Sequence, residues 1–167
     1  MNLKARKIIV VFCAMLILVA HNGLAVESRE PSVDFTLPKL GGGEVSLSNY
    51  RGQWVVVNYW ATWCAPCREE MPELSQLHDA LEQVTVLGLA FEDALDNSFE
   101  TYVRLAGVSY PILKVDIHHP PEPFGTPKVL PTTILIDPEG RPVKTFLGPV
   151  TREQLESYID GIAENSD

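Results

Sequence analysis

The chain has 167 residues, of which 46% are hydrophobic and 21% are charged, and its net charge is −9. This length and composition predict one globular domain with an apolar core and argue against a second domain. The acidic balance becomes −12 without the three cations of the N-terminal segment. Nucleic acid and anionic lipid surfaces are thereby excluded as partners, because they would be repelled.

The N-terminal segment has the pattern of an export signal. Lys4, Arg6 and Lys7 precede an apolar run, which is followed by small residues. This pattern predicts a signal peptide over residues 1–25, with an uncleaved N-terminal membrane anchor as the alternative. Residues 26–167 then form the single domain, in the periplasm or another extracytoplasmic compartment.

The first elements of the domain are predicted to be strands. Val33 to Leu37 and Val45 to Leu47 flank three glycines and predict a small N-terminal hairpin. The run QWVVVNYW, Gln53 to Trp60, predicts a central strand covered on both faces.

A β-α-β unit is predicted to follow. From Cys67 onward, apolar residues recur at steps of three and four positions, which indicates an amphipathic helix. We assign Glu69 and Glu70 to its solvated side and expect Pro72 to kink it. The run VTVLGLAF, Val84 to Phe91, completes a unit whose strands should be parallel.

The C-terminal half alternates helical and extended patterns. A helix beginning at Asn97 should stop near Gly107, and the proline-rich region from Val108 to Leu130 should be irregular. Strands at Thr132 to Ile136 and Val143 to Leu147 flank a turn signature and should form a hairpin, followed by a last amphipathic helix.

Two cysteines, Cys64 and Cys67, are the only ones beyond the leader. A structural disulfide this short would stabilise the fold weakly, because it closes a very small loop. A metal site needs more ligands, and the adjacent pair His118 and His119 matches the usual spacing poorly. A redox pair fits better: the helix N-terminus favours a thiolate at Cys64, and Cys67 could resolve a mixed disulfide.

The motif WATWCAPCREEMP, Trp60 to Pro72, resembles the TlpA/ResA-like branch of the thioredoxin superfamily. The likeness covers most of the chain after the leader and includes DFTL at 34–37, LPTT at 130–133 and IDPEG at 136–140. It implies an α/β, thioredoxin-like fold: a central mixed β-sheet flanked by helices, with an added N-terminal β-hairpin.

The resemblance also implies roles for site residues. Pro131 would follow a cis peptide bond beside the cysteines, and the backbone of Leu130 would pair with an extended peptide of the partner. Trp63 would offer an apolar docking surface. Glu92 falls where ResA-like proteins place an acidic residue near the cysteines, and from a buried position it could exchange a proton with Cys67.

The activity implied is that of an extracytoplasmic protein thiol-disulfide oxidoreductase, acting through a Cys64 mixed disulfide that Cys67 resolves. Members of this branch usually act as dedicated reductants, with a membrane protein as electron donor. Their typical substrates are apocytochrome c, in cytochrome c maturation, or copper-site proteins. The redox-active disulfide would be the only redox group, with no bound cofactor or metal.

Two alternatives stay open at this point. The first is a copper-binding chaperone that uses both cysteines with His118 or His119, since two thiolates and an imidazole suit Cu(I). The second and weaker one is peroxide reduction. The segment HHPPEPFG, 118–125, departs from the family, which often has a short helix there, so partner choice is the inherited property that this departure puts in doubt.

Overall fold

A computed structural model of the chain describes residues 30–93 and 97–164. The predicted leader, residues 1–25, lies outside the described residues. Among the helices that are described, none is long and apolar enough to cross a membrane. The strands are β1 Thr36–Pro38, β2 Glu44–Ser46, β3 Trp54–Trp60, β4 Val84–Ala90, β5 Ile112–Lys114, β6 Thr132–Ile136 and β7 Pro142–Leu147. The helices are α1 Ala65–Ala80, α2 Asn97–Leu105 and α3 Arg152–Glu164, with a 3-10 helix at Leu47–Tyr50.

The central sheet has five strands in the order β5-β4-β3-β6-β7. Strands β3, β4 and β5 are parallel, whereas β6 and β7 run antiparallel to their neighbours. The predicted thioredoxin-like architecture is confirmed, and so are the β-α-β unit and both hairpins. The prediction of an irregular segment from Val108 to Leu130 was wrong at β5, because three residues are too few to show a periodicity.

The two faces of the sheet are covered by different parts of the chain. On β3, Val55, Val57 and Tyr59 pack with buried residues of the N-terminal hairpin and the 3-10 helix. The alternate residues of the strand point to the opposite face, where Val56 and Trp60 pack with buried residues of all three helices. The cysteines belong to this helical face, which therefore carries the site.

The N-terminal hairpin also covers one edge of the sheet. The backbone N–H of Leu40 donates to the carbonyl of Ile112 at 2.8 Å, and Lys39 forms an isolated bridge with Leu113. Strand β5 is the outermost strand on this side, and these contacts cover its free edge at Ile112 and Leu113.

Candidate active site

The two cysteines lie where β3 passes into α1. Cys64 is the N-cap of α1 and Pro66 occupies the first turn, where a proline costs no helical hydrogen bond. The Sγ atoms of Cys64 and Cys67 are bonded at 2.03 Å, as predicted, and the Cys67 backbone N–H donates to Cys64 Sγ at 3.3 Å. A thiolate at Cys64 would therefore receive a backbone donor and the positive end of the helix.

Glu70 is the buried acid of the site, and our assignment of it to the solvated side of the helix was wrong. It lies three residues beyond Cys67 on the buried face of α1, and only 3% of it is exposed. Its carboxylate accepts two hydrogen bonds: Oε1 from Asn58 Nδ2 at 2.7 Å and Oε2 from the backbone N–H of Val150 at 2.9 Å. These two donors, one from β3 and one from the segment ahead of α3, offset the free-energy cost of burying the carboxyl group.

Burial raises the pKa of Glu70 to about 7, although the hydrogen bonds from Val150 and Asn58 lower it in part. Asn58 is itself buried and also donates to Thr133 Oγ1 at 3.0 Å, so a polar row crosses the sheet beneath the helix. An acid that titrates near neutral pH, one helical turn from a redox cysteine, can hold or release a proton during thiol exchange.

Glu92 lies beside the loop ahead of Cys64, near the cysteines as the sequence indicated, but not in a buried position. It is half-buried after β4, and both of its carboxylate oxygens are engaged by Thr62: Oε1 accepts the backbone N–H at 3.3 Å and Oε2 accepts the hydroxyl at 2.8 Å. Arg68 Nη1 donates to the Thr62 carbonyl at 2.7 Å. The buried acid is Glu70, and Glu92 braces the loop ahead of Cys64. A proton-transfer role for Glu92 stays a prediction.

The predicted substrate-binding residues are Trp63, Leu130 and Pro131, and their role stays a prediction. The Leu130–Pro131 peptide bond is cis, as the resemblance implied, and Pro131 is buried. The Leu130 backbone makes no hydrogen bond to any residue that the structure describes. Trp63, directly before Cys64, is 67% exposed, and Val129 is also exposed. Trp60, in contrast, is fully buried, as predicted.

The histidines of the copper alternative do not join the cysteines. His119 Nδ1 lies 2.9 Å from Asp116 Oδ2, and the His118 backbone N–H donates to Asp116 Oδ1 at 2.9 Å. In residues 30–93 and 97–164 no group of three or more cysteine, histidine or acidic side chains is arranged to hold a metal ion. The geometry therefore gives no support to the copper chaperone.

The sequence could have pointed to Glu70. It shares the spacing of Cys67, Leu74 and Leu77, all of which are buried on α1. Glutamate side chains are rarely buried, and this general tendency led to the assignment of Glu70 to the solvated side in spite of its position on the apolar face. The signal was the helical position itself, one turn after the second cysteine.

Comparisons with known proteins show the family of the chain. A profile of the AhpC/TSA family matches residues 29–143. Thiol-disulfide oxidoreductase ResA of Geobacillus kaustophilus is 35% identical over 142 residues, which cover 83% of this chain and 79% of the relative. ResA of Bacillus anthracis is 33% identical over 132 residues, 77% of this chain and 75% of the relative.

Solved structures give the same result for the fold. A DsbF homologue from Corynebacterium diphtheriae superposes with a TM-score of 0.70 at 32% identity, covering 85% of this chain and 96% of that one. A secreted thiol-disulfide isomerase from Corynebacterium glutamicum gives 0.68 at 29% identity, covering 83% and 91%. The chain belongs to the AhpC/TSA family, within its ResA-like branch of thioredoxin-fold thiol-disulfide oxidoreductases.

Proposed function

We propose that the protein is an extracytoplasmic reductant of protein disulfides. The observation that carries the proposal is the Cys64–Cys67 pair at the N-terminus of α1. In the reduced protein the Cys64 thiolate attacks a substrate disulfide, which forms a mixed disulfide and releases one substrate thiolate. The Cys67 thiolate then attacks Cys64 Sγ, which releases the second substrate thiolate. Two electrons pass to the substrate, and the disulfide of the protein forms.

Glu70 supplies the proton handling in this scheme. Only the thiolate form of a cysteine attacks, so the Cys67 thiol must first lose its proton. Because Cys67 is fully buried, a neighbouring group has to take that proton. The Glu70 carboxylate lies on the same helical face, one turn away, and a pKa near 7 lets it take that proton and return it in the next cycle.

The substrate approaches across the surface formed by Trp63, Val129 and Leu130. The unpaired backbone of Leu130 can bond an extended segment beside the disulfide, and the exposed Trp63 ring can pack against it. Apocytochrome c and copper-site proteins are the substrates expected from the branch.

The compartment and the electron supply follow from the same likeness. A leader-like N-terminus and the secreted Corynebacterium glutamicum relative support an extracytoplasmic site of action. Each substrate reduced leaves the protein oxidised, so a reductant there needs an electron donor, and a membrane protein is the class we expect.

The test combines a measurement of the reduction potential with trapping of the mixed disulfide. The purified protein is equilibrated against thiol-disulfide buffers, and a reduction potential near or below about −270 mV is expected for a reductant, against about −120 mV for an oxidant. Cys67→Ser should accumulate a mixed disulfide with a disulfide-containing substrate, whereas Cys64→Ser should not. An oxidant-like potential would reverse the direction, and failure of both variants to alter exchange would refute the site.

A further inference from the structure

Two buried polar atoms lie in the helical face of the sheet without a partner. Trp60 Nε1 and Tyr110 Oη are both shielded from solvent and make no hydrogen bond to the residues that the structure describes. Trp60 is fully buried, and Tyr110 is only 3% exposed. A buried donor without a partner costs about 1–3 kcal/mol, so a polar group that bonded both atoms would remove this cost.

Gly88 brings the two aromatic residues together. A methyl group built on Gly88 would lie 2.9 Å from Tyr110 Cε2 and 3.2 Å from Trp60 Nε1. Both rings therefore pack directly over the same glycine of β4, together with Ile112, whose Cδ1 would lie 2.7 Å from that methyl group. Gly88 is the register partner of Asn58, and paired positions of parallel strands point to the same face.

The Glu70 carboxyl lies on that face, bonded to Asn58. Its negative charge raises the pKa of Tyr110, after the larger effect of burial, so the phenol lies within electrostatic reach of the acid. The two hydrogen-bond partners of Glu70, the Asn58 amide and the Val150 N–H, are both donors. When Glu70 is protonated, its O–H needs an acceptor that neither of them supplies.

We propose that the Trp60 indole N–H and the Tyr110 hydroxyl hold one buried water molecule against the Glu70 carboxyl, and that Tyr110 is a positioning residue for this acid. The indole can only donate, so it fixes the water oxygen. The water donates to the Glu70 carboxylate and accepts from the Glu70 acid, and the tyrosine hydroxyl adapts to either state. Two to four polar partners are what a buried water requires.

The use of this water in catalysis rests on the proposed function, since the proton that it stabilises on Glu70 is the one taken from Cys67. The helices around Glu70 carry several ionisable side chains, among them Glu73 and His78 of α1, Tyr102 of α2 and Arg152 of α3. Glu73 accepts from the Arg152 backbone N–H, and His78 Nδ1 accepts from the Val86 backbone N–H. Neither is bonded to the Glu70 carboxyl.

The experiment is an NMR titration of the oxidised protein carrying 13C-labelled glutamate, with the Glu70 signal assigned by its absence in Glu70→Gln. Tyr110→Phe should raise the pKa of Glu70 by about one unit, because the water loses the hydroxyl that holds it and its charge-assisted hydrogen bond to the carboxylate is lost with it, while the acid loses a weaker one. Tyr59→Phe is the matched control, since Tyr59 is a buried tyrosine on the opposite face of the sheet. It should leave the titration unchanged.

A second measurement keeps the proposal testable if Tyr110→Phe does not fold. In the unaltered protein the Trp60 indole proton should show cross-peaks to a long-lived water, with NOE and ROE of opposite sign. An unchanged Glu70 titration in folded Tyr110→Phe, an equal shift in Tyr59→Phe, or the absence of a water cross-peak at Trp60 would each overturn the proposal. None of these readouts requires thiol exchange, so failure of the proposed function would show separately, as a protein that titrates as expected but exchanges no disulfides.

Discussion

Glu70 on α1 is tied to Val150, two residues ahead of α3, by a 2.9 Å hydrogen bond from the Val150 backbone N–H. The backbone N–H of Gly148, two residues earlier, donates to the carbonyl of Pro131 at 2.9 Å. One three-residue segment thus contacts both the buried acid and the cis proline. The segment contributes only backbone atoms to both contacts, so substituting the side chains of residues 148–150 would not remove these hydrogen bonds.

The stability of the oxidised protein should depend on the protonation of Glu70. Its pKa is about 7 in the fold against an ordinary value of 4.5, so the folded state binds more protons between these limits. The contribution of Glu70 to the free energy of unfolding therefore decreases with pH. It is largest below pH 4.5 and is lost as the pH rises through 7, by up to about 3 kcal/mol. Urea unfolding between pH 5 and 8 measures this loss.

Glu70→Gln is the comparison that isolates the effect. The pKa of His78 is lowered, mainly by burial, so His78 makes stability rise with pH below its ordinary value of 6.5 and opposes Glu70. Because both proteins contain His78, its contribution cancels in the difference. A difference in unfolding free energy that stays constant from pH 5 to 8 would show that Glu70 is not the titrating group.

The two candidate acids should differ in thiol exchange. Glu70→Gln should slow the reaction of the reduced protein with a protein disulfide by tenfold or more and abolish any inflection near pH 7, since proton transfer by a positioned group contributes about 10²–10⁴-fold. Glu92→Gln is the matched variant and should keep the inflection, because the Glu92 carboxylate is engaged by Thr62. Stopped-flow measurement of the exchange rates of both variants from pH 5 to 9 distinguishes the two acids. The reverse pattern would support the proton-transfer role that the sequence assigned to Glu92.

Trp63→Ala should weaken recognition without weakening the fold. The ring is 67% exposed, so the free energy of unfolding should change by less than about 0.5 kcal/mol. The rate with a protein disulfide should fall about tenfold, because truncating an interfacial aromatic residue commonly costs more than 1 kcal/mol. Leu105→Ala, at an apolar position that is 79% exposed on α2, is the control. Equal losses with a small disulfide reagent would contradict a docking role.

Gly88→Ala should destabilise the protein by about 1–3 kcal/mol. The added methyl group would lie 2.7 Å from Ile112 Cδ1 and 2.9 Å from Tyr110 Cε2, so buried side chains must shift. Gly161→Ala has open space around its new methyl group inside α3 and should instead stabilise by about 0.5–1 kcal/mol. Urea denaturation of the two variants measures both changes in the free energy of unfolding, which should have opposite signs. A neutral Gly88→Ala would mean that the space over Gly88 is larger than the contacts indicate.

The sequence predicted the sheet and the cysteine pair because their signals are local and long enough to read. Strand β3 is seven buried residues in a row, and the motif at Cys64 combines a strand end, a proline and a helix start. The cis bond before Pro131 came only from the family resemblance, since an ordinary proline has the same letter. Glu70 was missed because its partners, Asn58 and Val150, are 12 and 80 positions away, and no local pattern shows that a buried glutamate will find donors there.

The N-terminal hairpin has a consequence for how the chain tolerates processing. Trimming up to residue 30 removes none of its described contacts, whereas loss of β1 and the residues after it would take away the Leu40–Ile112 hydrogen bond and uncover β5. The sheet would then present a free strand edge on that side, which is a template for pairing with other copies. A cut before Val33 would therefore leave this edge of the sheet covered, whereas a cut past Leu40 would expose it.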